Sequence, residues 1–263
     1  MKNKKLAVLL TILVFFAVVV VLSSTVFSLG GVSLKFHSTT SVLTGQEIQI
    51  LESGNFKYGE NVFFSSKKAY KNALEKANPY LRVLNIETVF PNKFIVNAVE
   101  RNETYVFKMN NNKYYITDES LKILKILDEF QNNTTNAIVV NNSGLTSQTQ
   151  LVEGNFFAVE DNFYSVLFDC FREWDTSYVS LKSKIESMEM DYNNYADRLL
   201  VNMRSGVQII VRNAKSSLSN KLNLAFSFYD TDTINGQPVD YTKSGIIEVF
   251  ENEDKIYASY RQI

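Results

Sequence analysis

The sequence predicts an α+β protein carried on one N-terminal transmembrane helix. A small β-α-α-β-β domain follows the helix, and then a β-rich domain with flanking helices. Three observations predict this. Leu6 to Leu29 holds no charged residue. Residues 31–101 alternate apolar and polar, then take up two helical periods, then alternate again. Beyond residue 102, short aromatic and β-branched runs recur between Asn-, Asp- and Ser-rich turns.

At about 1.5 Å per residue, the run Leu6 to Leu29 is long enough for a hydrocarbon core of about 30 Å. A helix there satisfies its own backbone groups in lipid. Lys2, Lys4 and Lys5 precede it and only Lys35 follows closely, which places residues 1–5 in the cytoplasm and the body outside. The competing reading is a cleaved signal peptide. Its apolar core would be shorter, and Ser23-Ser24 offers no A-x-A site.

About 230 residues remain, enough for one large domain or two small ones. Hydrophobic residues make up 45% of the chain and charged residues 21%, ordinary for a globular protein. A net charge of −1 gives no basic field for nucleic acid. The 19 Phe and 14 Tyr supply core volume, while the single Cys170 makes no disulfide within the chain. Sequons at Asn102, Asn132 and Asn141 are the matches that an Asn-rich chain produces by chance.

In chain order, Gly30-Gly31 leads into a strand at 32–36. Thr44 is placed to cap a helix running to about Ser53, with Gly54 as its stop. Ser65 or Ser66 caps a second helix, where Ala69, Tyr70, Ala73, Leu74 and Ala77 form one stripe. Asn78-Pro79 ends it. Strands at 81–90 and 94–100 enclose a Pro91-Asn92 turn. Further strands are predicted at 105–107, 114–116, 121–127, 137–140, 185–192, 198–204, 207–212, 245–250 and 255–260. Helices are predicted at 155–174, with Phe156, Phe163, Leu167, Cys170, Phe171 and Trp174 on one face, and at 216–229.

Catalytic chemistry finds little support. The one histidine, His37, lies near the membrane exit, a poor place for a triad. Cys170 falls on an apolar helix face and reads as core rather than nucleophile. No H-E-x-x-H, C-x-x-C, Walker loop or G-x-G-x-x-G occurs, so no metal site and no cofactor are expected. Adjacent pairs such as Glu160-Asp161 and Glu253-Asp254 read as solvated charge.

One stretch is more specific. Phe90-Pro91-Asn92-Lys93-Phe94-Ile95-Val96-Asn97-Ala98-Val99-Glu100-Arg101 follows a helix ending at Pro79. Then comes Tyr114-Tyr115-Ile116-Thr117-Asp118-Glu119-Ser120-Leu121, with Ser120 or Leu121 where a glycine is usual. Towards the C-terminus, SGVQIIVRNAKSSLSNKLNLAFSF has Asn213 near another customary glycine, ahead of a Lys-Leu helix. Pro238-Val239-Asp240-Tyr241 precedes Ser244-Gly245. In this order, and behind a single anchor, these pieces resemble the FtsQ/DivIB cell-division proteins. The resemblance implies a POTRA domain over 31–101 after the helix 6–29, and a β-rich FtsQ/DivIB-type domain over 102–263. It implies no catalysis and no small-molecule substrate. It also implies binding to FtsB/DivIC- and FtsL-type partners at the septum, where such proteins assemble or regulate peptidoglycan synthesis.

Strand addition to an open sheet edge is the mechanism expected for such binding. The expected edge is the C-terminal one, with Asp240, Tyr241, Ile246, Ile247, Val249 and Phe250 as partner-binding residues. The bland alternative buries Ile246, Ile247, Val249 and Phe250 in the core, and the strand at 255–260 competes for the same edge. The lysines Lys67, Lys68, Lys71 and Lys76 are a second candidate surface, or simply the solvated side of an amphipathic helix. The rival functions are an anchored adaptor or receptor unrelated to division, and a cell-envelope hydrolase.

Overall fold

The computed structural model describes residues 2–109, 111–130, 136–141, 151–157, 162–177, 181–193, 196–230, 233–234, 237–238, 244–253 and 255–263. The chain divides into two compact units, Met1–Arg101 and Asn102–Ile263.

The first unit begins with α1 (Lys2–Thr25), whose described side chains from Val8 to Val21 are exposed all round. Among the described residues no helix is long and apolar enough to cross a membrane. The helix stops at Thr25, short of Leu29, because the next residues bond elsewhere. Val62 donates its N–H to the Phe27 carbonyl (2.9 Å), Leu29 to that of Glu60 (2.8 Å) and Gly59 to that of Leu29 (2.9 Å). Leu29 is thereby buried in the unit's core rather than left to the helix.

The elements β1 (Gly31–Phe36), α2 (Glu47–Ser53), α3 (Lys67–Ala77), β2 (Leu81–Val89) and β3 (Lys93–Glu100) then follow. Their sheet runs β1-β3-β2, with β1 parallel and β2 antiparallel to β3. Ile50, Tyr70 and Leu74 from the helices meet Leu81, Val83, Ile86, Phe94, Val96 and Ala98 from the sheet. A bulge between Val83 and Asn85 turns both Val83 and Ile86 inward and leaves Leu84 exposed. Ser66 caps α3 by accepting the Ala69 N–H (3.3 Å). Thr44 does not cap α2, which starts at Glu47; its hydroxyl donates to the Thr40 carbonyl instead. Of the expected α3 stripe, Tyr70 and Leu74 are buried, while Ala69 and Ala77 face outward.

Among the described residues, the second unit is a nine-stranded mixed sheet with helices on one face. Its strands are β4 (Tyr105–Lys108), β5 (Tyr114–Thr117), β6 (Ile123–Leu127), β7 (Ile138–Asn141), β8 (Ile185–Asn193), β9 (Ala196–Met203), β10 (Val207–Arg212), β13 (Gly245–Asn252) and β14 (Lys255–Gln262). Their order is β14-β13-β10-β9-β8-β7-β4-β5-β6. A short pair, β11 (Thr233–Ile234) and β12 (Gln237–Pro238), stands apart. The helices are α4 (Asn162–Ser177), α5 (Leu181–Lys184) and α6 (Leu218–Asp230). Alternation puts Met188, Met190, Leu199, Val201, Ile209, Val211, Ile247 and Val249 on the helix side, against Leu167, Phe171, Trp174, Leu222 and Phe226. The Trp174 ring meets Phe226 edge-on, and its Nε1–H donates to Asn223 (3.0 Å).

α4 begins at Asn162 rather than at 155. Residues 154–157 are tied to β6 instead: Ile123 donates to the Asn155 carbonyl and Phe157 to that of Leu121, both at 2.8 Å. Phe156 is consequently exposed, with the Lys122 ammonium 5.9 Å from its ring centroid.

Candidate partner-binding edge

The C-terminal hairpin forms one margin of the large sheet. β13 is an interior strand and not the edge, which corrects the expectation for 245–250. It runs parallel to β10, pairing Val207 with Gly245 through Val211 with Val249. Its other side is taken by β14, antiparallel from Gly245–Gln262 to Asn252–Lys255. The hairpin forms because Glu253 accepts a left-handed backbone, φ 48°. Ile247 and Val249 are fully buried beneath the helices. Ile246 and Phe250 are half-buried on the opposite face, where Phe250 stacks on Tyr257 (centroids 5.7 Å apart). Asp240 and Tyr241 lie outside the described residues.

One open edge of the sheet is β14, which among the described residues has β13 as its sole strand neighbour. Ile263 donates to the Ser244 carbonyl (3.0 Å), and this fixes the phase of the ladder. Antiparallel pairs alternate between bonded and non-bonded. Arg261, Ser259 and Tyr257 therefore bond to β13, while the backbone groups of Ile256, Ala258, Tyr260 and Gln262 point outward. The segment Ile256–Tyr260 is uncharged, and Lys255 and Arg261 bracket it. Ile256, Ala258 and Tyr260 pack against the core, so β14 is held at its position from one side. Gly245 permits this packing: a β-carbon there would lie 2.5 Å from the Tyr260 ring.

The hairpin is locked at its far end by a residue that an apolar-stripe reading of α6 passes over. Lys221 is fully buried. Its Nζ donates to the carbonyls of Arg212 (3.3 Å) and Asn213 (3.0 Å) and pairs with Glu251 (3.1 Å). That hydrogen bond from Lys221 holds the Glu251 carboxyl below the usual range. The face of the sheet away from the helices carries polar ladders: Gln208 to Asn202 and Asn202 to Ser187, each 2.9 Å, with ion pairs Arg198–Asp191 and Arg212–Glu248.

The motif residues Glu100 and Arg101 do structural work in the first unit. The Glu100 carboxylate accepts the N–H groups of Ser41, Val42 and Leu43 and the Ser41 hydroxyl, at 2.8–3.3 Å. Burial alone would raise its pKa, but the bonds from Leu43, Ser41 and Val42 outweigh this and lower it. Arg101 donates Nε–H to the Leu81 carbonyl (3.2 Å) and lies 3.6 Å from Glu75.

A cleft of about 460 Å³ is bordered by Phe163, Val166, Lys215, Ser217, Leu218 and Ser219, with neither a carboxylate nor a histidine among its described lining. Among the described residues, no group of three His, Cys, Asp or Glu is arranged to hold a metal. His37 is exposed just beyond β1, with Nε2 2.8 Å from Asn97 Oδ1. Cys170 is buried, and burial pushes its thiol up.

Residues 45–101 match the POTRA domain, FtsQ-type, so the matched segment spans α2, α3, β2 and β3. Over 184 residues the chain is 26% identical to the cell division protein DivIB of Clostridium tetani, covering 68% of this chain and 62% of that protein. The chain thus matches less than two thirds of its relative's length. The FtsQ-type POTRA match and the DivIB relative together support the FtsQ/DivIB cell-division family for this chain.

Proposed function

We propose that this protein is a membrane-anchored, non-enzymatic scaffold of the bacterial divisome. In this reading α1 is a single-pass anchor with its N-terminus in the cytoplasm. The two units lie outside as a POTRA domain (31–101) and a β-rich domain (102–263). The uncharged run from Leu6 to Leu29, the lysines before it and the continuous helix Lys2–Thr25 support the anchor.

The observation that carries the proposal is the open edge of β14. FtsB/DivIC- and FtsL-type segments add there as a further strand, taking their main-chain bonds from Ile256, Ala258, Tyr260 and Gln262. Lys255 and Arg261 favour a partner strand that is uncharged in its middle and acidic at its ends. Tyr257 receives its side chains on one face, backed by Phe250, which like Ile246 lies a strand further in. Ile247 and Val249 act from beneath as core.

A fluorescent fusion of the full chain should gather at mid-cell in its own bacterium. The full chain in lipid nanodiscs should also co-purify with the extracytoplasmic segments of that cell's FtsB/DivIC- and FtsL-type proteins. A folded chain spread evenly over the membrane, with no binding to either segment, would favour an adaptor unrelated to division.

A further inference from the structure

We infer that the first unit rests on the bilayer surface through an aromatic foot built from three separate segments; the inference relies on the reading of α1 as a membrane span. Phe27 follows the end of α1 by two residues, which is at most about 7 Å of chain. Phe63 and Phe64 come from the loop before α3, and Phe90 from the β2–β3 turn. Both segments are strapped to the span's exit. Val62 donates to the Phe27 carbonyl, Ser28 bridges Asn61, and Gly30 donates to the Asn92 carbonyl (2.8 Å).

The rings converge on one point. Phe63 and Phe90 lie 5.2 Å and 6.5 Å from Phe27 by centroid, and 5.6 Å from each other. Whatever depth Phe27 takes, its neighbours share it to within a ring's width. Yet they remain open: Phe63 is 58% exposed, Phe64 82% and Phe90 62%. A soluble surface rarely gathers such a patch without a use for it.

The occupant follows from position. A patch joined within two residues to a membrane span faces the interfacial zone, where the Phe, Trp and Leu side chains of surface-lying segments bury at the boundary between headgroups and acyl chains. Phe has no polar tip, so these rings enter the boundary between headgroups and acyl chains. Lys93 is exposed, registers with Gly31 at the exit, and sits where lipid phosphates would be. The foot therefore fixes the tilt of the first unit instead of leaving it to swing on the short link that follows Thr25.

Depth-dependent quenching in proteoliposomes of the full chain tests this. Phe64→Trp and Leu13→Trp are each read by difference against the parent, whose one tryptophan, Trp174, is buried. The indole at 64 should lose most of its emission to lipids brominated near the headgroup end of the acyl chains, and little to lipids brominated near the chain ends. The indole at 13 should be quenched by the deep bromines. Quenching at 13 with none at 64 overturns the aromatic foot and leaves the anchor standing. Absence of quenching at 13 overturns the anchor, and with it the foot.

Discussion

Replacing Glu100 by Gln should open the loop that the carboxylate clasps. Glu100 gathers three consecutive N–H groups and one hydroxyl from residues 41–43, with Leu43 (2.9 Å) and the Ser41 hydroxyl (2.8 Å) closest. Hydrogen bonds to a charged acceptor contribute about 1.5–3 kcal/mol each, and solvent at this partly exposed site reduces the sum. A glutamine keeps one acceptor oxygen and turns an NH₂ towards the remaining donors. The net loss expected is about 1–2 kcal/mol, a factor of about 5–30 in the local opening equilibrium. The assay is amide hydrogen exchange at Ser41, Val42 and Leu43. The pH sign follows from the lowered pKa of Glu100. A carboxyl whose folded pKa is depressed stabilises above its unfolded value of about 4.3, and that stability is lost as pH falls through the folded value. Glu100→Gln should thus exchange faster than the parent at neutral pH, and the two should converge in acid. Equal protection at neutral pH, or a gap that persists in acid, would refute the clasp.

Two further predictions concern the second unit, where the single Trp174 reports unfolding. Asn213 is exposed with φ 46°, so Asn213→Ala should lose about 1–2 kcal/mol of unfolding free energy, read from denaturant unfolding, while Asn213→Gly should be close to neutral. Because burial raises the thiol pKa of Cys170, native protein at mildly alkaline pH should react with a thiol reagent far more slowly than unfolded protein. Equal rates would contradict the core placement.

The first unit was legible because its elements are local. Capping by Ser66, the Asn78-Pro79 stop and the alternation in 81–100 each act within a few residues, and the structure has the same order of elements. The resemblance places a glycine at Ser120 or Leu121 and another near Asn213. Leu121 (φ 63°) and Asn213 (φ 46°) occupy left-handed backbone, where glycine is the unstrained choice. What local pattern misses is pairing at a distance. Asn155 and Phe157 carry a helix-compatible pattern, yet bond to Ile123 and Leu121. The apolar content of 245–250 signals burial but not which strand lies outside it; only the β13–β14 pairing decides that β14 is the edge. Lys221 reads as a solvated helix position, because the carbonyls and carboxylate that hold it come from β10, the turn after it and β13.

The most direct test of edge capture is Ala258→Pro in the full chain. The Ala258 N–H points away from β13, so proline removes an outward donor and leaves the bonded pairs Glu248–Ser259 and Phe250–Tyr257 in place. Proline at Ile247 or Val249 would instead strike buried interior residues and could not separate binding from folding. Binding to the FtsB/DivIC- and FtsL-type segments is compared with the parent, while amide exchange at Ser259 monitors the hairpin. The parent should form a stoichiometric complex that is lost in Ala258→Pro, with Ser259 still protected. Undiminished binding by Ala258→Pro would contradict edge capture.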